Sequence, residues 1–158
     1  RESNASTACM EHQIFEHIKQ ALLVTLNWQA PAVSMPRKLS SLQFTMKSFQ
    51  RHFERVMSIE EDGGFMAESV EMKPHLQDRV DQLEADHACI RERIGRIVVE
   101  LDDIKEWEEP RFEQVCCGLR SLIGDVDRHN AAEIELLQES MLAEEGGEGR
   151  LQLAVSRM

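Results

Sequence analysis

The sequence predicts an all-α fold, an up-down-up-down antiparallel four-helix bundle, on three observations. Apolar residues make up 42% of the 158 positions, but aromatics only 5% and tyrosine none, whereas sandwiches and barrels draw on aromatic and β-branched residues. Long stretches repeat their apolar residues at alternating steps of three and four, the spacing of one buried helix face. Proline and glycine fall between these stretches. The chain is long enough for one domain with a substantial core, expected over residues 8–145, with 1–7 and 146–158 as tails.

The first helix is expected from about Ala8 to Gln29, ending at Ala30-Pro31, with a seam of Met10, Ile14, His17, Ala21, Val24 and Trp28. Ser34 offers an N-cap and Pro36 stands in the first turn, so a second helix begins there. Its seam reads Leu39, Leu42, Met46, Phe49, Phe53, Val56, Glu60. Phe65, Met66 and Val70 extend an apolar face past Gly63-Gly64, which predicts a strained continuation to about Val70. Pro74 opens the third helix, with Leu76, Val80, Leu83, His87, Ile90, Ile94, Ile97, Leu101 and Ile104 in register. Pro110 opens the fourth, with Phe112, Val115, Leu119, Leu122, Val126, His129, Glu133 and Leu136. Gly146-Gly147 is expected to stop it. Trp28 and Trp107 read as caps of the core. Short connections between long helices imply antiparallel neighbours.

Charge and composition exclude several functions. With 18 Lys+Arg against 29 Asp+Glu, the net charge is −11, which argues against nucleic acid or an anionic membrane as partner. No apolar run reaches a membrane span, and Arg1 to Thr7 has no secretory core. The start without methionine suggests trimming. Cys9, Cys89, Cys116 and Cys117 contain no CxxC pair, and adjacent Cys116 and Cys117 point to different helix faces. Half-buried reduced thiols in a cytoplasmic protein are the expectation.

Four polar residues interrupt the apolar seams: Glu60, His87, His129 and Glu133. A carboxylate buried alone costs several kcal/mol, and ion pairing or a metal is the usual remedy. With turns near residues 72 and 108, antiparallel helices set His87 level with position 57 and with His129. The same levels set Glu60 beside position 84 and, through it, beside Glu133. The four therefore share one slab about a turn thick. His129 and Glu133 also stand i and i+4 on one face. Mixed imidazole and carboxylate donors suit iron, manganese or zinc; a metal-free hydrogen-bond network that fixes helix register is the other reading.

At these residues the chain resembles the hemerythrin-like (HHE cation-binding) domains. His52-Phe53 through Glu60-Glu61-Asp62-Gly63-Gly64-Phe65 is similar to the second helix of a bacterial subgroup, His-Phe-x-x-Glu-Glu-x-Gly-Gly-Tyr. Leu83-Glu84-Ala85-Asp86-His87 resembles the family's Leu-x-x-Glu-His, and His129-Asn130-Ala131-Ala132-Glu133 its His-x-x-x-Glu helix. The resemblance implies a four-helix bundle holding a non-haem di-iron site between His and carboxylate ligands. The site would be open to dioxygen or related small molecules, with roles in oxygen, iron or redox sensing.

The departures from that pattern are specific. Val56 stands where the subgroup has a second-helix histidine, and Leu83 where classical members carry another. His52, one turn before Val56, could compensate, although it lies beside the seam and reads more readily as a flanking residue. Glu84 gives a Glu-x-x-His spacing with His87 but is off the seam. On the first helix, level favours His12 and phase favours His17. Glu11-His12 also resembles the family's Glu-His pair, whereas His12 would share its stripe with Lys19. Level is preferred, because a ligand at the wrong depth cannot reach.

The candidate metal ligands are thus His12, His52, Glu60, His87, His129 and Glu133, for two irons, one iron or another divalent metal. The same bundle without metal, acting as an interaction or regulatory module, is the alternative. A carboxylate-bridged oxidase is a third, though tyrosine is absent as a radical site.

Overall fold

Three of the four expected seams are buried along their whole length. The computed structural model describes residues 2–29, 31–62 and 65–155, and among these every regular element is helical. The elements are α1 (Glu2–Leu26), α2 (Met35–Asp62), α3 (Phe65–Met72), a 3-10 turn (Pro74–Leu76), α4 (Gln77–Asp103) and α5 (Glu109–Val155). Helix α1 packs on α2, α2 on α4, α4 on α5, and α5 back on α1.

Cross-helix bonds give the directions. Gln43 of α2 donates to the Leu101 carbonyl of α4, while Arg91 meets Glu54 further along. Arg93 pairs with Asp125 and Arg79 with Glu139 across α4 and α5. Lys19 reaches Asp127 and Arg120 the Leu26 carbonyl across α1 and α5. On each pair residue numbers rise on one helix as they fall on the other, so the neighbours are antiparallel. The all-α bundle is as the spacing predicts.

Helix α2 begins where expected, with the Arg37 amide donating to Ser34 Oγ at 3.4 Å and Pro36 in its first turn. All seven seam residues from Leu39 to Glu60 are buried, as are the nine from Leu76 to Ile104 and the eight from Phe112 to Leu136. Cys116 is buried and Cys117 exposed, on different faces of α5. Gly63 and Gly64, where the second helix was expected to continue under strain, lie outside the described residues. Helical structure resumes at Phe65.

Helix α1 departs from its predicted phase. Met10 and Val24 are exposed, as are His17 and Ala21. The buried stripe is instead Phe15, Lys19, Leu22, Thr25 and Leu26. Phe15 sets this rotation: its ring lies 4.8 Å from Phe49 and 6.0 Å from Phe53. Such aromatic pairs add about 0.5–1.5 kcal/mol beyond their burial. Lys19 is tolerated there because its ammonium group meets Glu16 at 2.6 Å and Asp127 at 2.5 Å.

Other boundaries shift too. Helix α1 starts at Glu2, and α5 runs through Gly146-Gly147 to Val155 instead of stopping. Each glycine costs only about 1 kcal/mol in a helix. Trp28 is half-buried, but Trp107, at 81% exposure, caps nothing.

The core has two parts. The larger runs from Leu26, Leu39 and Phe112 to Val56, Ile90 and Val126. The smaller joins Met66, Leu76, Val80, Leu83 and Leu136 beneath α3 and the 3-10 turn. Between Val56, Ile90 and Val126 on one side and Leu83 and Leu136 on the other, the seams carry the four polar residues. Among the described residues no helix is long and apolar enough to cross a membrane.

Candidate metal centre

Because Glu60, His87, His129 and Glu133 occupy seam positions, the heptad-like spacing that buries leucine elsewhere turns these side chains inward. One ligand-capable atom from each lies within 4.8 Å of the others, and all four residues are buried. His129 Nε2 stands 2.5 Å and His87 Nε2 3.1 Å from the same oxygen, Glu133 Oε1. The two rings meet edge to face, 4.7 Å between centroids. His87 Nε2 also faces Glu60 Oε2 at 3.5 Å. Three helices thus aim two imidazole nitrogens and two carboxylates at one interior point.

The outward ring nitrogens face carboxylates. His129 Nδ1 is 3.3 Å from Asp86 Oδ2, and His87 Nδ1 3.6 Å from Glu61 Oε1. A carboxylate behind a ligating histidine fixes its tautomer and strengthens its inner nitrogen as a donor to metal. Asp86 and Glu61 were not singled out from the sequence, although each directly adjoins a seam residue, His87 and Glu60.

Charge is arranged unevenly. Burial works to raise the Glu133 carboxyl, yet hydrogen bonds from His129 and His87 bring it down to about 2. Burial pushes Glu60 up, and the neighbouring Glu133 charge adds to this against the opposing bond with His12. Burial works against a charged His129, but its bonds to Glu133 and Asp86 hold the pKa above the ordinary value. A ring with carboxylates at both nitrogens donates to both only as imidazolium. Its inner proton occupies the direction in which a cation would bind.

The residues present fit a divalent cation. Glu60 Oε2 is buried with no hydrogen-bond partner, and so is His87 Nδ1; at 3.5 Å the nearby His87 Nε2 is too far to satisfy the carboxylate. An orphaned buried carboxylate oxygen costs about 1–3 kcal/mol, and a cation at the common point would satisfy it. Two imidazoles and two carboxylates form a mixed N/O set of the kind taken by iron, manganese or zinc.

The remaining candidates are placed as follows. His12 Nε2 lies 3.3 Å from Glu60 Oε1 at the rim, with its side chain 45% exposed. The bond to Glu60 raises its pKa, against partial burial. His52 is not part of the group of four; its Nδ1 faces Glu11 Oε2 at 3.4 Å. Val56 and Leu83 are apolar core on either side of the cluster. Glu84, His17 and His75 are exposed.

An antiparallel helical bundle with a buried His/Glu cluster defines a class, the helical cation-binding domains. The chain matches the Hemerythrin HHE cation binding domain over residues 10–139, most of its length, and it belongs to that family. No curated protein and no solved structure gives a significant match.

Proposed function

We propose that the protein is a non-haem iron-binding domain that binds or senses a small molecule such as dioxygen. The convergence of His87 Nε2, His129 Nε2, Glu133 and the partnerless Glu60 Oε2 carries this reading. These four residues would hold the metal, with His12 approaching from the rim and His52 at most an outer contributor behind Glu11. Bound iron would supply an open coordination position and a redox couple. The chain's own residues do the rest. Asp86 and Glu61 orient the rings, and the apolar clusters on either side restrict water. The likeness of the Glu60-Glu61-Asp62-Gly63-Gly64 stretch to one bacterial subgroup supports the same reading. Four free thiols suit a reducing cytoplasm.

Val56 and Leu83 favour a second reading, a metal-free bundle serving as an interaction module, because both are well-packed core where histidines would complete the family's set. Elemental analysis after aerobic purification, with an absorption scan for oxo-bridged iron, separates the two. About one iron per chain or more, and a thermal upshift on adding Fe2+, support the metalloprotein. Less than a tenth of an equivalent of any transition metal, with no shift, leaves the second reading.

A further inference from the structure

Two surface clefts reach the cluster, and they differ in charge. One, of about 240 Å3 between α4 and α5, touches His129 from behind, at its Asp86 side, and carries Arg93 and Arg128 beside Asp125. Both guanidinium groups pair with that one aspartate. The other, of about 370 Å3 between α1 and α5, is lined by Glu16, Lys19 and Asp127 and leads inward to His12 and Glu133. It follows the least closely packed seam of the ring. Three carboxylates line this passage against one ammonium group, whereas the α4/α5 cleft balances two against two guanidiniums. A cation approaching the site is attracted along the first and gains nothing on the second.

We propose that the α1/α5 cleft is the passage by which a divalent cation reaches the buried cluster, and that Lys19 is its gate. This rests on the metal-binding reading above. The Lys19 side chain is buried in the seam, and its ammonium group bridges Glu16 of α1 and Asp127 of α5. It sits between the carboxylates where an incoming cation would pass, a tethered positive charge in the cation's own path. Swinging out breaks one cross-helix ion pair and leaves Glu16 and Asp127, each half exposed, free to hand a metal inward to His12 and Glu133. The gate slows uptake and release alike, so it governs exchange and leaves affinity to the ligands.

The test follows Co2+ absorption in stopped flow with the full chain, and then removal of Co2+ by a chelator. Lys19→Met keeps the length of the buried stem, so the fold survives, and loses the ion pairs. Both rates should rise about three- to fivefold, as expected for removing a pair of modest strength, with affinity unchanged. Ala131→Trp, an exposed position lining the same cleft, should slow both, and Arg93→Met on the other side should change neither. Unaltered rates in both K19M and A131W, or altered rates in R93M alone, overturn the passage. A wild-type protein that shows no Co2+ absorption overturns the metal reading itself, and the passage with it.

Discussion

One turn apart on α5, His129 Nε2 and Glu133 Oε1 approach to 2.5 Å inside the bundle, and His87 of α4 shares that oxygen at 3.1 Å. One carboxylate oxygen therefore bonds to both rings and ties two helices. Replacing it with alanine leaves both imidazoles buried without their acceptor. Glu133→Ala should destabilise the metal-free protein by about 1–3 kcal/mol, lowering the melting temperature by about 2–4 °C per kcal/mol. Glu133→Gln, which keeps an acceptor, should cost less. Calorimetry on both variants checks the order; equal stability in wild type and E133A means that the contact contributes nothing.

The same groups make stability depend on pH, with opposite signs for the metal-free and metal-loaded protein. Glu133 is held down to about 2 from an ordinary 4.5, so its contribution is complete above 4.5 and lost as pH falls toward 2. His129 and His12 are raised above 6.5, so theirs is complete below 6.5 and lost as pH rises past their folded values. Glu60 is raised above 4.5, and the unfolded chain gives up that proton first, which also costs stability as pH rises. Without metal, urea midpoints should fall from pH 6 to 9. Metal needs neutral imidazole and ionised carboxylate, so the thermal shift on adding Zn2+ should grow from pH 6 to 8. A metal-free midpoint that climbs over the alkaline range contradicts the assignment of charge.

Much of this was legible in sequence, for reasons particular residues make plain. Helices α2, α4 and α5 advertise their buried faces because nearly every seam position is apolar, so the exceptions Glu60, His87, His129 and Glu133 stood out and their depth followed from antiparallel packing. Helix α1 misled because its true stripe contains Lys19, and a charged residue counts against a face unless its partners are known. Those partners, Glu16 and Asp127, include one from a helix more than a hundred residues away. His12 lies one turn before Phe15 on that side of α1 and meets Glu60 at the rim, whereas His17 is exposed. Asp86 and Glu61 look like any surface acid until the neighbouring ring is placed.

The thiols should divide three to one. Cys9, Cys89 and Cys117 are exposed and Cys116 is buried, its thiol pushed up by burial. Since the thiolate is the reactive form, a disulfide reagent should titrate three groups rapidly in the native protein and the fourth only on unfolding. Four fast groups mean that the α5 seam opens around Cys116.

Val56 lies one turn before Glu60 on the buried face of α2, 3% exposed, at the slot where the family resemblance places a histidine. Val56→His puts an unpaired imidazole into the core, costing about 1–3 kcal/mol in the metal-free state. If the cluster is a depleted metal site, the added donor lies on the correct face, and Zn2+ should restore the lost stability and shift the variant further than the wild type. A variant destabilised equally with and without Zn2+ places position 56 out of reach of the metal.

Asp86 separates a metal site from a structural network. It faces His129 Nδ1 at 3.3 Å while its own side chain is 35% exposed, so solvent can replace it in the metal-free protein. Asp86→Ala should therefore alter metal-free stability by no more than about 1 kcal/mol, the scale of an exposed pair. If His129 Nε2 binds metal, the same carboxylate polarises the ring and holds its orientation, and its removal should weaken affinity about 10–100-fold. Competition titrations against a chelating dye measure the second quantity and denaturant unfolding the first. A large loss of stability with unchanged affinity would assign Asp86 to the network and leave His129 without a role in coordination.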